Sequence, residues 1–412
     1  MAEGRLRTIS VVAWLVLALG AAVFTVVGLS AEGVDTAAWI ADAVAWTVAI
    51  TGVALISVPA PSGSRISLGI GAIVAGSILI DDVTAFGAAT ALALSISWVI
   101  QRQFDAWNHR SDGDFLTDAL AAATYGFTFH YAFEALAGSS LDDPNWVTVA
   151  AVVLGGLAWF IVRALVAAFV GVERTDLAGR YLWLLALEDW AVVISVLAAG
   201  TLFGLTWPVM GVWSFAVAVL PYAFGHLAFE RYHSTRVTYG QTIRALAQIP
   251  EVAGLAPRGH STRTADLAVA VAQELGLHPN DVVELEYAAL MHDVGRITLN
   301  EPAILKAGYT DEDIARWGAQ IIAEAPYLEQ VSTLVEGQHR PYRSPGIEID
   351  PDVPMPSKII KVASAYDQGK VEMGLSPVEA LERIHQGSAY EFDPQVAASL
   401  RRVLVFRGDI PY

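Results

Sequence analysis

The sequence predicts an all-α protein in two parts. A polytopic transmembrane helical domain of about eight spans covers residues 1–235, and a cytoplasmic helical bundle covers 259–412, with a linker helix at 236–258 between them. Three observations carry this. Runs of about 20 apolar residues, enough to cross a bilayer, recur up to about residue 235 with only short polar breaks. Hydrophobic residues make up 54% of the 412 and charged residues only 16%, against about 25% charged in an average soluble chain. Beyond residue 240 the apolar residues recur at helical spacing, with no alternating strand pattern of useful length.

The spans are expected at 9–30, 37–58, 66–80, 83–101, 115–137, 146–170, 181–203 and 206–229, the third being short. The first is too long for a cleaved signal peptide, and further spans follow it. With eight spans and an internal N-terminus, the inner segments carry Arg5, Arg7, Arg65, Arg102, Arg110, Arg174, Arg180, Arg231 and Arg236. The outer loops carry Glu32, Asp35, Asp81, Asp82, Asp142 and Asp143 and no Lys or Arg. This follows the positive-inside rule. It predicts a multi-pass protein of the cell membrane, in contact with the lipid bilayer, whose N-terminus and C-terminal domain are both cytoplasmic. The outer loops are too short to form a ligand-binding domain.

Ionisable residues inside spans are functional candidates by default. Arg163 in the sixth span and Glu188 and Asp189 in the seventh lie about two helical turns from the inner ends, so adjacent helices can pair them. That pair reads as a structural ion pair or as a proton- or ligand-sensing site. His130 and Glu134 share one face of the fifth span among aromatic residues. Such a histidine suits packing, or a haem or metal. Asp42 in the second span has no evident partner.

In the linker, Ile243, Leu246 and Ile249 follow helical spacing before Pro250, an arrangement that would suit a homodimer. Leu267, Val271 and Leu275 then share a face, and Gly276 ends that helix. Residues 281–292 form the next periodic stretch, closing on Met291-His292-Asp293. Thr310 and the acids after it start a helix over 310–325. Stretches 329–338, 356–368, 376–387 and 393–405 continue the pattern. Ser376-Pro377 and Asp393-Pro394 pair an N-cap with a first-position proline.

The chain has no cysteine, which excludes disulfides, thiolate metal sites and thiol nucleophiles. Its net charge of -17 argues against a nucleic acid polymer as partner, because phosphate neutralisation needs a basic face. Adjacent His292 and Asp293 are the strongest local chemical signal. Histidine with carboxylate and no thiolate favours iron, manganese or zinc.

The surroundings of that dipeptide resemble the HD superfamily of metal-dependent phosphohydrolases, and its HD-GYP branch in particular. The stretch 259–277 resembles the family's opening helix, with His-x-x-Arg at His260 and Arg263. Residues 288–308 resemble its central motif, here His292, Asp293, Gly295 and Arg296, followed by Ile304, Leu305 and Lys306. Residues 355–368 resemble the helix that carries a further metal-binding aspartate, and 391–396 resemble its closing Phe-Asp-Pro helix. The resemblance spans about 241–410 and does not reach the membrane part.

It implies hydrolysis of a cyclic dinucleotide or another phosphoester by water activated on a divalent metal. It implies His260, His292, Asp293 and His339 as metal ligands, with Asp293 the candidate catalytic residue. Arg263, Arg296 and Lys306 would bind substrate. The departures are equally specific. Ser364 stands where the family has an aspartate, and Asp367 one turn later is a possible substitute. Gln320 stands where a histidine is expected, paired histidines reduce to Gln338-His339, and HRPYRSPG at 339–346 replaces the Gly-Tyr-Pro signature. Three readings stay open: a catalytically weak domain serving as a ligand- or partner-binding output module, a working phosphohydrolase with an altered, single-metal site, and a purely structural bundle.

Overall fold

The computed structural model describes residues 2–60, 65–103, 112–137, 144–174, 178–300, 308–343 and 353–411. It is helical almost throughout these residues. The chain divides into two compact units, one of residues 1–175 and 182–231 and the other of 176–181 and 232–412.

The first unit begins with α1 (Ala2–Ser30), α2 (Thr36–Ala54), a hairpin of β1 (Ser57–Pro59) and β2 (Arg65–Ser67), and α3 (Gly69–Leu79). It continues with α4 (Val83–Gln103), α5 (Asp112–Ala137), α6 (Pro144–Arg174), α7 (Gly179–Leu187) and α8 (Trp190–Met210), then enters α9 (Ser214–Ala247). Five stretches of the described residues are long and apolar enough to cross a membrane: Thr8–Ser30, Thr36–Ala54, Val83–Gln103, Asn145–Val172 and Trp190–Ala228, the last running from α8 into α9. This marks a membrane protein by length and composition.

The expected bounds of the eight spans differ from the structure in three places, and the count of eight is not confirmed. α2 stops at Ala54, because Ser57–Pro59 pairs antiparallel with Arg65–Ser67, and the Arg65 guanidinium donates to the Ser57 hydroxyl at 2.9 Å and carbonyl at 3.0 Å. α3 has only 11 residues, too few for the ~20 that a span needs. The seventh segment is broken at Glu188-Asp189, and the next break falls at Met210–Ser214 instead of 203–206. There Gly211 takes φ +53°, a region that side chains other than glycine rarely enter.

Packing in this unit relies on small residues and buried polar pairs. α3 and α8 approach so closely that a Cβ on Gly200 would lie 2.2 Å from the Gly71 carbonyl oxygen, the close backbone contact that small residues permit between membrane helices. Arg163 and Asp189 are both buried and pair at 2.9 Å. Asp189 is the residue before α8, so the helix break and the ion pair share one residue. Asp35 and Asp82, read from sequence as outer-loop charges, also cap helices. Asp35 accepts from Ala37 N at 3.0 Å, and Asp82 from Thr84 N at 2.8 Å.

The second unit takes the end of α9, then α10 (Ile249–Val252), α11 (His260–Glu274) and α12 (Pro279–Met291). α13 (Asp311–Ala323), α14 (Glu329–Glu336), α15 (Met355–Val371), α16 (Pro377–Gln386) and α17 (Pro394–Arg407) complete it. Capping residues set the boundaries. Thr310 and Asp313 form a reciprocal capping box on α13, and Ser376 and Glu379 form one on α16. Asp393 accepts from Gln395 N at 2.8 Å at the start of α17. Leu285, Ile322, Leu334, Ile359, Ile360, Ile384 and Leu400 are fully buried and form the apolar interior. α11 packs against both α12 and α15, and those three helices carry the candidate site.

Candidate metal centre

Each candidate ligand sits where a helix begins or ends. His260 is the first residue of α11, after Gly259 in the left-handed conformation (φ +72°). The Glu251 carboxylate accepts from the backbone of Gly259 at 2.7 Å and Ser261 at 3.1 Å, satisfying N–H groups that a helix start leaves without partners. His292 terminates α12, and the buried Gln338 side chain donates to its carbonyl at 2.8 Å. Gly295 lets α13 approach: a Cβ there would lie 2.0 Å from the Ile314 carbonyl oxygen. The glycine of the His-Asp-x-Gly pattern is therefore a packing requirement of this bundle.

His260, His292 and Asp293 are all buried, and one ligand atom from each lies within 4.8 Å of the others. Asp293 Oδ2 is 3.8 Å from His260 Nε2 and 3.6 Å from His292 Nε2. The Ser364 hydroxyl lies 3.4 Å and 3.3 Å from the same two nitrogens. An ion with ligand bonds of about 2.1 Å spaces tetrahedral ligands about 3.4 Å apart. The four measured separations match that spacing.

Proton placement follows from the partners. His260 Nδ1 faces Asp367 Oδ2 at 2.7 Å, and His292 Nδ1 faces the Ala289 carbonyl at 2.8 Å. An ionised carboxylate and a carbonyl only accept. Both histidines therefore carry the proton on Nδ1 and turn the Nε2 lone pair inward, the arrangement of metal-binding histidines. Burial pushes the His292 imidazole below its ordinary pKa, against the pull of Asp293, which favours the neutral ligand form.

Asp293 is held by Arg296, whose Nε donates to Oδ1 at 2.6 Å. Burial opposes its charge, but His292 and Arg296 outweigh burial and keep the carboxyl below its ordinary pKa. Its other oxygen, Oδ2, is buried and has no hydrogen-bond partner. A buried acceptor left unpaired costs about 1–3 kcal/mol, more when charged. An anionic oxygen of this kind, between two inward lone pairs, fits a cation and little else.

The remaining predicted residues are placed as follows. Asp367 does not substitute for the missing aspartate. It accepts from His260 and takes a two-pronged contact from Arg263, Nε to Oδ1 at 2.7 Å and Nη2 to Oδ2 at 2.9 Å. These hydrogen bonds hold Asp367 below its ordinary pKa despite its burial. Arg263, expected on substrate, is thereby committed to Asp367, and its Nη1 to the Arg258 carbonyl. Ser364 occupies the fourth corner. His339 is half-buried and lies outside the three-ligand group, with its carbonyl accepting from Lys361 Nζ at 2.9 Å. Gln320 is an exposed residue of α13. Lys306, with Ile304 and Leu305, lies outside the described residues. Sequence reasoning weighed Asp367 only as a possible substitute ligand and gave Gln338 no role of its own. The available signal was the i,i+3 spacing of Ser364 and Asp367, which puts both on one face of α15.

Residues 258–369 match the family model of the HD domain. A 3'3'-cGAMP-specific phosphodiesterase 3 of Vibrio cholerae serotype O1 (strain ATCC 39315 / El Tor Inaba N16961) is 27% identical over 183 residues, covering 39% of this chain and 38% of that protein. The chain thus matches well under half the length of that relative. The crystal structure of a cyclic GMP-AMP specific phosphodiesterase from V. cholerae aligns over 73% of this chain and 89% of its own at 15% identity, with a TM-score of 0.26, too low to bear on the fold.

Proposed function

We propose that this protein, whose residues 258–369 form an HD domain, is a membrane-anchored signalling phosphohydrolase of the HD-GYP-like type, acting on a cyclic dinucleotide or a related phosphodiester. The observation that carries the reading is the buried, unpartnered Oδ2 of Asp293 between two imidazole nitrogens whose protons are held on the far side. A single divalent ion of iron, manganese or zinc held by His260, His292 and Asp293 would supply Lewis-acid polarisation of a phosphoryl oxygen and a water of lowered pKa.

The chain's own residues set the conditions for that chemistry. Asp367 and the Ala289 carbonyl orient the two imidazoles. Arg296 fixes the Asp293 carboxylate and keeps it ionised. The Ser364 hydroxyl adds a neutral oxygen at the fourth corner. Lys306 is proposed on substrate phosphate, by its place in the motif alone. The cyclic dinucleotide is suggested by the Vibrio relative, a 3'3'-cGAMP-specific phosphodiesterase.

A second reading, binding without turnover, is favoured by Ser364 itself. A hydroxyl where a carboxylate would bridge a second ion lowers the negative charge of the site. One experiment separates the two. Full-length protein purified in detergent should hold about one iron, manganese or zinc ion per chain, and His292→Ala should lose it. With manganese added, it should hydrolyse 3'3'-cGAMP or cyclic di-GMP. Protein that holds the metal and binds the dinucleotide without cleaving it establishes the second reading. Protein that holds no metal and cleaves nothing sinks the first.

A further inference from the structure

His260 is held at two points, and the two belong to different elements of the bundle. Asp367, on α15, fixes its imidazole. Its main chain is fixed from α10. Gly259 N and Ser261 N, on either side of His260, donate to Oε2 and Oε1 of the Glu251 carboxylate at 2.7 Å and 3.1 Å. His260 N donates to the Pro257 carbonyl at 3.1 Å. One side chain thus takes two of these three N–H groups at the start of α11.

Other helices of the same unit start differently. α13, α16 and α17 are capped by Thr310, Ser376 and Asp393, residues of their own first turns. The N-cap of α11 is Gly259, which has no side chain to cap with. The carboxylate that takes over lies eight residues earlier, on another element. The main-chain position of a metal ligand is therefore conditional on where α10 sits.

α10 is seated by its neighbours in turn. Pro250 is buried, and α10 packs against the helical turns of Val294–Asn300, which directly follow Asp293. It thus touches the chain at both His260 and the segment after Asp293. Upstream lies α9, whose last turns bury Ile243 and Ala247, and the Ala247 carbonyl accepts from the buried Ser261 hydroxyl at 3.5 Å. α9 belongs to the first unit through residue 231 and to the second from 232. Glu251 also acts on the outer partners of His260: the hydrogen bond to Asp367 raises the Arg263 pKa, and the Glu251 charge adds to it.

On the reading of His260, His292 and Asp293 as a metal centre, on which this rests, we propose that Glu251 is a positioning residue for His260, through which the seating of α9 and α10 sets the affinity for the ion. A shift of α10 releases the Gly259 and Ser261 N–H groups together. His260 Nε2 is then no longer held at 3.8 Å from Asp293 Oδ2. α9 is the segment along which such a shift would arrive from the first unit.

The test uses full-length protein in detergent loaded with cobalt(II), whose visible bands report the number and kind of its ligands. Wild type should show these bands, and competition with a chelator gives its Kd. Glu251→Ala should raise that Kd about tenfold, as loss of an outer partner of a ligand does, and should change the bands. Glu251→Gln keeps one acceptor oxygen and turns an NH2 group toward the other N–H, so it should recover only part. Ser376→Ala removes a cap from a helix that carries no ligand; it should lower stability and leave Kd and bands unchanged. Ile243→Ala, which loosens the seat of α9, should raise the Kd in wild type and add nothing in the Glu251→Ala background. Glu251→Ala and Glu251→Gln proteins that bind cobalt as wild type does overturn the positioning role. Additive effects of Ile243→Ala and Glu251→Ala overturn the path through α9. Wild type that binds no cobalt refutes the metal centre itself and this inference with it, whereas binding intact in wild type and in both Glu251 variants refutes the role of Glu251 alone.

Discussion

Asp367 and Ser364 sit one helical turn apart on α15 and do different work at one site. Asp367 is a positioning residue, because it touches only the far nitrogen of His260 and the Arg263 guanidinium. Asp367→Asn should lower metal affinity by about tenfold or more, the usual cost of losing an outer partner of a metal-binding histidine. Competition against a fluorescent chelator would measure this, and unchanged affinity would refute the role. Ser364 is at the ligand corner, so Ser364→Asp should raise metal affinity by about as much; no change would place its oxygen outside the ligand set. His260, His292 and Asp293 were legible from sequence because their motifs fix both identity and helix position. Asp367 was not, since spacing reveals a shared face but not which atom of a histidine that face meets. His339 lies outside the three-ligand group in this structure, and adjacency to Gln338 says nothing of direction: the structure turns Gln338 inward.

Among the elements, helix starts were the most legible feature. Thr310, Ser376 and Asp393 all cap as their sequence pattern predicts, since capping is a contact within four residues and needs no tertiary knowledge. The capping boxes bring a pH dependence. Hydrogen bonds from Thr310 hold the Asp313 carboxyl below its ordinary 3.8, and hydrogen bonds from Ser376 hold Glu379 below its ordinary 4.5. A depressed folded pKa contributes stability that is complete above the unfolded value and is lost as pH falls through the folded one. The amides of Thr310 and Ser376 should therefore keep their hydrogen-exchange protection at neutral pH and lose it as the medium is acidified below those ordinary values. Protection that stays constant through that range would show that the carboxylates do not hold the caps. Long-range breaks were less legible. The stop of α2 at Ala54 depends on strand pairing with residues further along the chain, and the turn at Gly211 depends on a backbone conformation that hydropathy does not register.

For the whole molecule, composition distinguishes an apolar, membrane-type part from a less apolar one, but run length alone does not fix where spans begin and end. The apolar run at 66–80 holds a strand and an 11-residue helix, and the one at 181–203 holds two helices. Arginine placement still predicts that both ends of the chain face the cytoplasm. Reporters fused at residues 1 and 412 should both be active on that side, and opposite readings would require an odd number of crossings. The buried Arg163–Asp189 pair has a consequence for how the protein is made. A lone arginine or aspartate inside a span adds about 2.5–3.5 kcal/mol to its insertion. α6 emerges from the ribosome ahead of Asp189, so it meets the bilayer with its cation unmatched. Retention of α6 beside the translocon until α8 arrives, and entry of the two together, would avoid that cost. Asp189→Asn should then slow integration and shorten the half-life of newly made chains in a pulse–chase, with Asp189→Glu recovering part of it; an unaffected half-life would mean that α6 integrates alone. The ion pair would act as a checkpoint in biogenesis, passed only by chains that have assembled both helices.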